Sequence, residues 1–119
     1  NKIAFTANSR VRPLAKETLV LMKEAGCFTI AFGFESGSDD TLTKVHKGAT
    51  VAENIQACAW SKEAGLTVWG FFVIGFPWET KEHIMETQKA HLPDETRLHR
   101  NYAGPAFLWD TSLQYVQRR

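Results

Sequence analysis

Residues 66–76 read Leu-Thr-Val-Trp-Gly-Phe-Phe-Val-Ile-Gly-Phe, an apolar run with almost no alternation of polar and apolar side chains. A strand of this kind needs cover on both faces. The architecture that supplies it is a parallel sheet flanked by helices. The run is well short of the roughly 18 to 20 residues required to cross a membrane as a helix, and Pro77 ends it. The segments on either side fit the same architecture. Before it, Thr50-Val51-Ala52-Glu53 is a capping box, and Ile55, Cys58, Ala59 and Ala64 continue an apolar stripe as far as Gly65. After it, Thr80 is placed to cap a helix to about residue 92, with Ile84 and Met85 on its inner side, before Pro93 and Asp94 interrupt the chain.

The N-terminal part repeats the pattern. Residues 2–8 read as a short buried strand that begins without a preceding turn or cap, as expected of a chain taken from something longer. A polar loop, residues 9–12, leads to Pro13 at the first position of a helix predicted over 13–25. Leu14, Thr18, Leu21, Met22 and Ala25 recur at helical spacing there, and Gly26 occupies the stop position. Residues 27–34 then form a strand with Phe28, Ile30, Phe32 and Phe34 on one face and Thr29, Ala31 and Gly33 on the other. Glu35 shares the second face. If the large residues pack outward on helices, Glu35 points into a lumen at the C-terminal rim, where barrel enzymes keep their functional groups. Ser38 is placed to cap a short helix over 39–45, ended by His46-Lys47-Gly48. Strand and helix thus alternate three times with short connections, which predicts a parallel β/α fold with right-handed crossovers. The tail is less regular. Residues 96–102 suit a further strand, 103–105 a turn and 106–116 a final amphipathic helix.

Composition narrows the function classes. Fourteen Lys and Arg against thirteen Asp and Glu leave a charge of +1, too balanced for a segment whose main work is neutralising a nucleic-acid backbone. Arg97, Arg100, Arg118 and Arg119 make the tail basic, which suits a solvated face. Nothing marks a membrane segment or a leader, so a cytoplasmic location is expected. Cys27 and Cys58 form no C-x-x-C pair and read as small buried hydrophobes. His46, His83, His91 and His99 lie on different elements without the spacing of metal ligands. The most polar rim motif is Gly33-Phe34-Glu35-Ser36-Gly37-Ser38. It suits either a tight turn with a helix cap or a ligand site with free backbone N–H groups.

Five segments in order carry a resemblance: residues 22–27 (Met-Lys-Glu-Ala-Gly-Cys), 32–38 (Phe-Gly-Phe-Glu-Ser-Gly-Ser), Lys47-Gly48, 62–65 (Lys-Glu-Ala-Gly) and 72–80 (Phe-Val-Ile-Gly-Phe-Pro-Trp-Glu-Thr). Together they resemble the second half of the radical S-adenosylmethionine (radical SAM) domain, in the branch of cobalamin-linked and methylthiotransferase-like enzymes. The resemblance covers residues 1–94, with 95–119 as a separate strand and helix segment. It implies a partial TIM-type (β/α) barrel of three to four β/α units. In the family, a [4Fe-4S] cluster on C-x-x-x-C-x-x-C passes an electron to S-adenosylmethionine and yields a 5′-deoxyadenosyl radical. That loop is absent from these residues, so the chain is expected to be the C-terminal half of the domain and inactive alone.

By the same resemblance, Glu35 and Ser36 match the motif whose polar side chains meet the amino group or ribose of S-adenosylmethionine. Gly75 lies in the segment that packs on adenine, with Val73 and Ile74 as apolar contacts. Arg10 and Lys47 are the cations placed to meet the cofactor's carboxylate. Trp78 stands where glycine is frequent in the family, and cobalamin is a further cofactor of the branch. Two other readings stay open. One is a non-catalytic half-barrel that assembles, for example as a homodimer, through exposed strand edges and apolar faces. The other is a phosphate-binding barrel segment that grips an anion on the N–H groups of residues 33–38.

Overall fold

The computed structural model describes residues 3–90 and the backbone of 97–102 and 108–110. The elements run β1 (Phe5–Ser9), α1 (Lys16–Ala25), β2 (Cys27–Glu35), α2 (Asp39–Lys44), α3 (Val51–Glu63), β3 (Thr67–Ile74), α4 (Lys81–Lys89), β4 (Arg97–Tyr102) and β5 (Leu108–Asp110). The sheet order is β1-β2-β3-β4-β5. The first four strands are mutually parallel and β5 is antiparallel to β4. The parallel β/α order is the one the alternation predicts, and it forms the wall of a partial (β/α) barrel, as the resemblance implies. No helix among the described residues is long and apolar enough to cross a membrane.

Alternation along β2 and β3 places Ile30, Phe32, Phe34, Val68 and Phe72 on the helix-covered side, each at most 2% exposed. Leu19 of α1 and Ala57 and Cys58 of α3 close over them. Burying each large side chain contributes about 1.5–3 kcal/mol. Thr29, Ala31, Gly33 and Glu35 share the opposite, half-buried face. Both cysteines are buried, as expected.

Several local expectations need correction. Helix α1 starts at Lys16 rather than Pro13, because residue 15 is still extended (φ −110°, ψ 140°) and Leu14 packs against the core from a non-helical segment. Leu19 and Met22, not Leu21, form its inner stripe, and Leu21 is 64% exposed. Phe28 is half exposed because the β1–β2 register passes from Phe5↔Cys27 to Thr6↔Thr29, leaving Phe28 as the extra residue of a bulge. In α3, Ile55 faces out, while Asn54 and Ser61 join Ala57 and Cys58 on the buried side. Met85 of α4 is likewise exposed, and Thr87 is the buried residue.

The helix ends divide in the same way. Thr50–Glu53 forms its capping box, and Thr80 caps α4 with His83 as the reciprocal partner. Ser38 sits at the N-cap of α2, but its side chain makes no capping bond. In the tail, β4 matches the predicted strand. Residues 108–110, expected to be helical, form β5 because their backbone groups pair with β4. The predicted turn at 103–105 and residues 111–116 lie outside the described residues, as do His91, Leu92 and Pro93.

Candidate functional site

The site begins with a bulge. The β2–β3 register runs Gly33↔Phe71 and then Glu35↔Phe72, so Phe34 has no partner on β3. Its carbonyl accepts instead from the Ser36 N–H (2.9 Å) and the Asn54 side-chain amide (3.4 Å). The residue that follows, Glu35, is left-handed at φ 66°, a conformation that non-glycine residues adopt rarely and at a cost. The turn folds its carboxylate back over Gly33. A Cβ on Gly33 would lie 2.8 Å from Glu35 Oε1 and 3.2 Å from Lys47 Nζ, so a side chain here would push on the tips of both charged groups.

Lys47 reaches the same point from the turn that ends α2. Its N–H donates to the Leu42 carbonyl at 3.0 Å, and His46 (φ 52°) and Gly48 (φ 72°) turn the backbone on either side of it. Lys47 Nζ then donates to Glu35 Oε1 at 3.1 Å, with the side chains 19% and 28% exposed. This ion pair sits on one wall of a cleft of about 270 Å³ at the C-terminal ends of β1, β2 and β3. The loop after β1 contributes Arg10, Val11 and Arg12, the turn after α2 contributes Val45, His46 and Ala49, and the loop after β3 contributes Phe76. Arg12 also leans toward Glu53 at 3.7 Å. Trp78 stacks on Phe76, with centroids 5.0 Å apart and planes 12° from parallel, and so backs the aromatic wall from outside.

The residues singled out in the sequence divide into two groups. Arg10, Glu35 and Lys47 line the cleft together. Val73 is half-buried on the face of β3 opposite the core, whereas Ile74 is 7% exposed and shares the side of Phe72. Gly75, left-handed at φ 100°, donates its N–H to Glu79 Oε2 (2.7 Å), which also accepts from Phe76 N–H (3.1 Å). Glu79 therefore shapes its own loop. Ser36 is fully buried, with its hydroxyl 3.1 Å from Thr87 Oγ1.

The expectation of free N–H groups in the 33–38 segment is not met at residues 36–38. Ser36 N–H goes to the Phe34 carbonyl, Gly37 N–H to Thr87 Oγ1 (3.0 Å) and Ser38 N–H to Ser36 Oγ (3.0 Å). An anion grip needs several N–H groups converging on one empty point. Here these three donors are engaged within the fold, which speaks against an anion grip at residues 36–38.

Arg12, His46 and Phe76 enter the cleft without having been singled out from sequence. The usable signal was positional: each lies in the first residues after a strand or helix that ends on the functional rim. Behind the rim, Asp40 is held below the ordinary carboxylate range, chiefly by the hydrogen bond from Lys44, and His83 Nε2 lies 3.6 Å from the same carboxylate. The cleft thus combines a carboxylate, several cations and an aromatic wall. Such a set suits a ligand that carries both charges and a flat apolar part.

A parallel β/α wall with charged groups on its C-terminal rim defines a barrel-type segment. The chain belongs to the radical SAM superfamily, whose sequence model matches residues 1–90. It is 42% identical over 87 residues to an uncharacterized methyltransferase from Pyrococcus horikoshii, a match covering 73% of this chain and 19% of that protein. It is 33% identical over 91 residues to the anaerobic magnesium-protoporphyrin IX monomethyl ester cyclase of Cereibacter sphaeroides, covering 75% of this chain and 15% of that one. The matched part of the chain therefore spans less than a fifth of the length of these curated relatives. Among solved structures, the radical S-adenosylmethionine methyltransferase TsrM from Kitasatospora setae, with cobalamin and a [4Fe-4S] cluster bound, superposes with a TM-score of 0.75 at 19% identity. That match covers 84% of this chain and 20% of TsrM and shows a shared fold.

Proposed function

We propose that residues 1–90 supply the S-adenosylmethionine-binding wall of a radical SAM iron–sulfur enzyme in the methyltransferase-like, cobalamin-linked branch. The observation that carries this reading is the meeting of Glu35, Arg10 and Phe76 at one rim. S-adenosylmethionine presents an ammonium, a carboxylate, ribose hydroxyls and a flat adenine, and the donor set answers each. Glu35 would accept from the ammonium or the ribose hydroxyls, and Arg10 would pair with the carboxylate through its planar fork. Phe76, backed by Trp78, would offer the adenine an aromatic surface, with Val73 as an apolar neighbour. Lys47 balances Glu35 in the free protein and would turn to the cofactor's carboxylate when a cationic group takes its place. Bound S-adenosylmethionine would supply a sulfonium bond open to reductive cleavage.

The cysteines do not fit a cluster. Cys27 and Cys58 are at most 1% exposed in the helix-covered core, and Cys27 Sγ lies 3.3 Å from the Thr29 carbonyl. Among the described residues, no group of three His, Cys, Asp or Glu is placed to hold a metal. In this proposal the cluster ligands and any cobalamin site belong to the remainder of the longer protein.

Calorimetric titration with S-adenosylmethionine tests the reading. Glu35→Gln removes one charge-assisted acceptor, worth about 1.5–3 kcal/mol, so affinity is expected to fall roughly 10- to 100-fold. Inorganic phosphate at the same concentrations is expected not to compete. Unchanged affinity in Glu35→Gln would remove Glu35 from the site, and displacement by phosphate would favour a plain anion pocket.

A further inference from the structure

The segment that follows Glu35 is tied to a helix outside the cleft, α4. Ser36 and Thr87 are 0% and 2% exposed, and their hydroxyls are 3.1 Å apart. The four contacts around them admit one consistent set of protons. Thr87 O–H donates to the His83 carbonyl (3.1 Å), and its oxygen accepts from Ser36 O–H and Gly37 N–H. Ser36 Oγ in turn accepts from Ser38 N–H (3.0 Å). Every polar group of this buried relay has a partner, which is the condition under which such a network fixes a single conformation. Gly37 lies directly against α4, since a Cβ there would sit 2.7 Å from Thr87 Cα. The relay therefore clamps residues 36–38 immediately after Glu35.

We infer that Thr87 and Ser36 are positioning residues for Glu35: their buried hydroxyl pair fixes the turn that aims the carboxylate over Gly33 into the cleft. On this assignment Ser36 acts through the backbone and not by touching the ligand. The inference deepens the proposed function and rests on Glu35 meeting S-adenosylmethionine.

A double-mutant cycle separates positioning from general damage. Thr87→Val keeps the shape and leaves Ser36 O–H and Gly37 N–H without their acceptor. S-adenosylmethionine affinity is expected to fall about tenfold, the equivalent of one lost buried hydrogen bond. Thr87→Ser restores the hydroxyl and is expected to bind within about twofold of the parent. In a Glu35→Ala background the Thr87→Val loss should disappear, because there is no longer a carboxylate to aim. Amide hydrogen exchange of Gly37 and Ser38, measured without ligand, should accelerate in Thr87→Val and in Ser36→Ala but not in Thr87→Ser. An equal loss of affinity in both Glu35 backgrounds, or exchange at Gly37 and Ser38 unaltered by Thr87→Val, overturns the inference. If Glu35→Ala alone leaves affinity unchanged, the cofactor assignment fails first, and the exchange rates still judge the clamp.

Discussion

Phe34→Ala is expected to destabilise the fold by about 3–5 kcal/mol, the range for removing a fully buried aromatic ring from a packed core. Phe34 is 0% exposed, and its ring centroid lies 5.6 Å from those of both Phe32 and Phe72. On the adjacent strand, Gly70 has no side chain, and a Cβ there would come within 2.5 Å of the Phe34 ring. The ring thus lies in a slot made by a missing side chain, and the cavity left by alanine has rigid backbone on one side. Little collapse is available to it. Urea unfolding followed by fluorescence measures the loss, with the m-value expected to stay constant. Phe28→Ala is the control, because Phe28 belongs to the same strand and the same sequence alternation yet is 50% exposed. Its effect is expected to stay within about 1 kcal/mol. Equal losses at the two positions would mean that the β1–β2 bulge is misplaced.

Gly37→Val is expected to move α4 away from the rim. The clash is steric: a Cβ at Gly37 would lie 2.7 Å from both the Glu86 carbonyl oxygen and Thr87 Cα, and 2.8 Å from Ala90 Cβ. Two of these atoms are backbone and cannot rotate aside. Overpacking of this kind costs about 1–3 kcal/mol, and valine's branch places the effect in the upper part of that range. The same displacement breaks the Gly37–Thr87 hydrogen bond that steadies the turn after Glu35. S-adenosylmethionine affinity should therefore fall by about tenfold or more, because a small misplacement of a binding group is costly. Denaturation and titration on one sample check both effects. A stable variant with parental affinity would show that α4 does not support the site.

The sequence pattern and the structure agree on β1 to β4, disagree at residues 108–110, and differ on which way some residues face. Apolar runs and capping signals located β2, α3 and β3, because each is bracketed by Thr, Gly or Pro with a local physical effect. Burial was harder to read wherever a bulge or a polar inward face intervened. Phe28 belongs by parity with Ile30, but one extra residue in the β1–β2 pairing turns it outward. Asn54 and Ser61 face inward with the Asn54 amide N–H and the Ser61 hydroxyl donating to the Phe34 and Ala57 carbonyls, which no hydrophobicity pattern records. In the site, the parity of β2 gave Glu35 its face. Its φ of 66° comes from the bulge at Phe34, and the bulge is a property of two strands paired together. The Glu35–Lys47 pair depends on the reversal at His46 and Gly48, and the Ser36–Thr87 contact joins residues 51 positions apart. Neither had a local signature.

The most direct test of the central claim is the location of bound S-adenosylmethionine on the isotope-labelled chain, followed by amide chemical shifts during titration. If the C-terminal rim holds the cofactor, the shifts should concentrate at Gly33, Glu35, Lys47 and Phe76, with the Lys16–Glu63 ion pair joining α1 and α3 unaffected. Shifts clustered on the outer helices, or none at saturating cofactor, would contradict it.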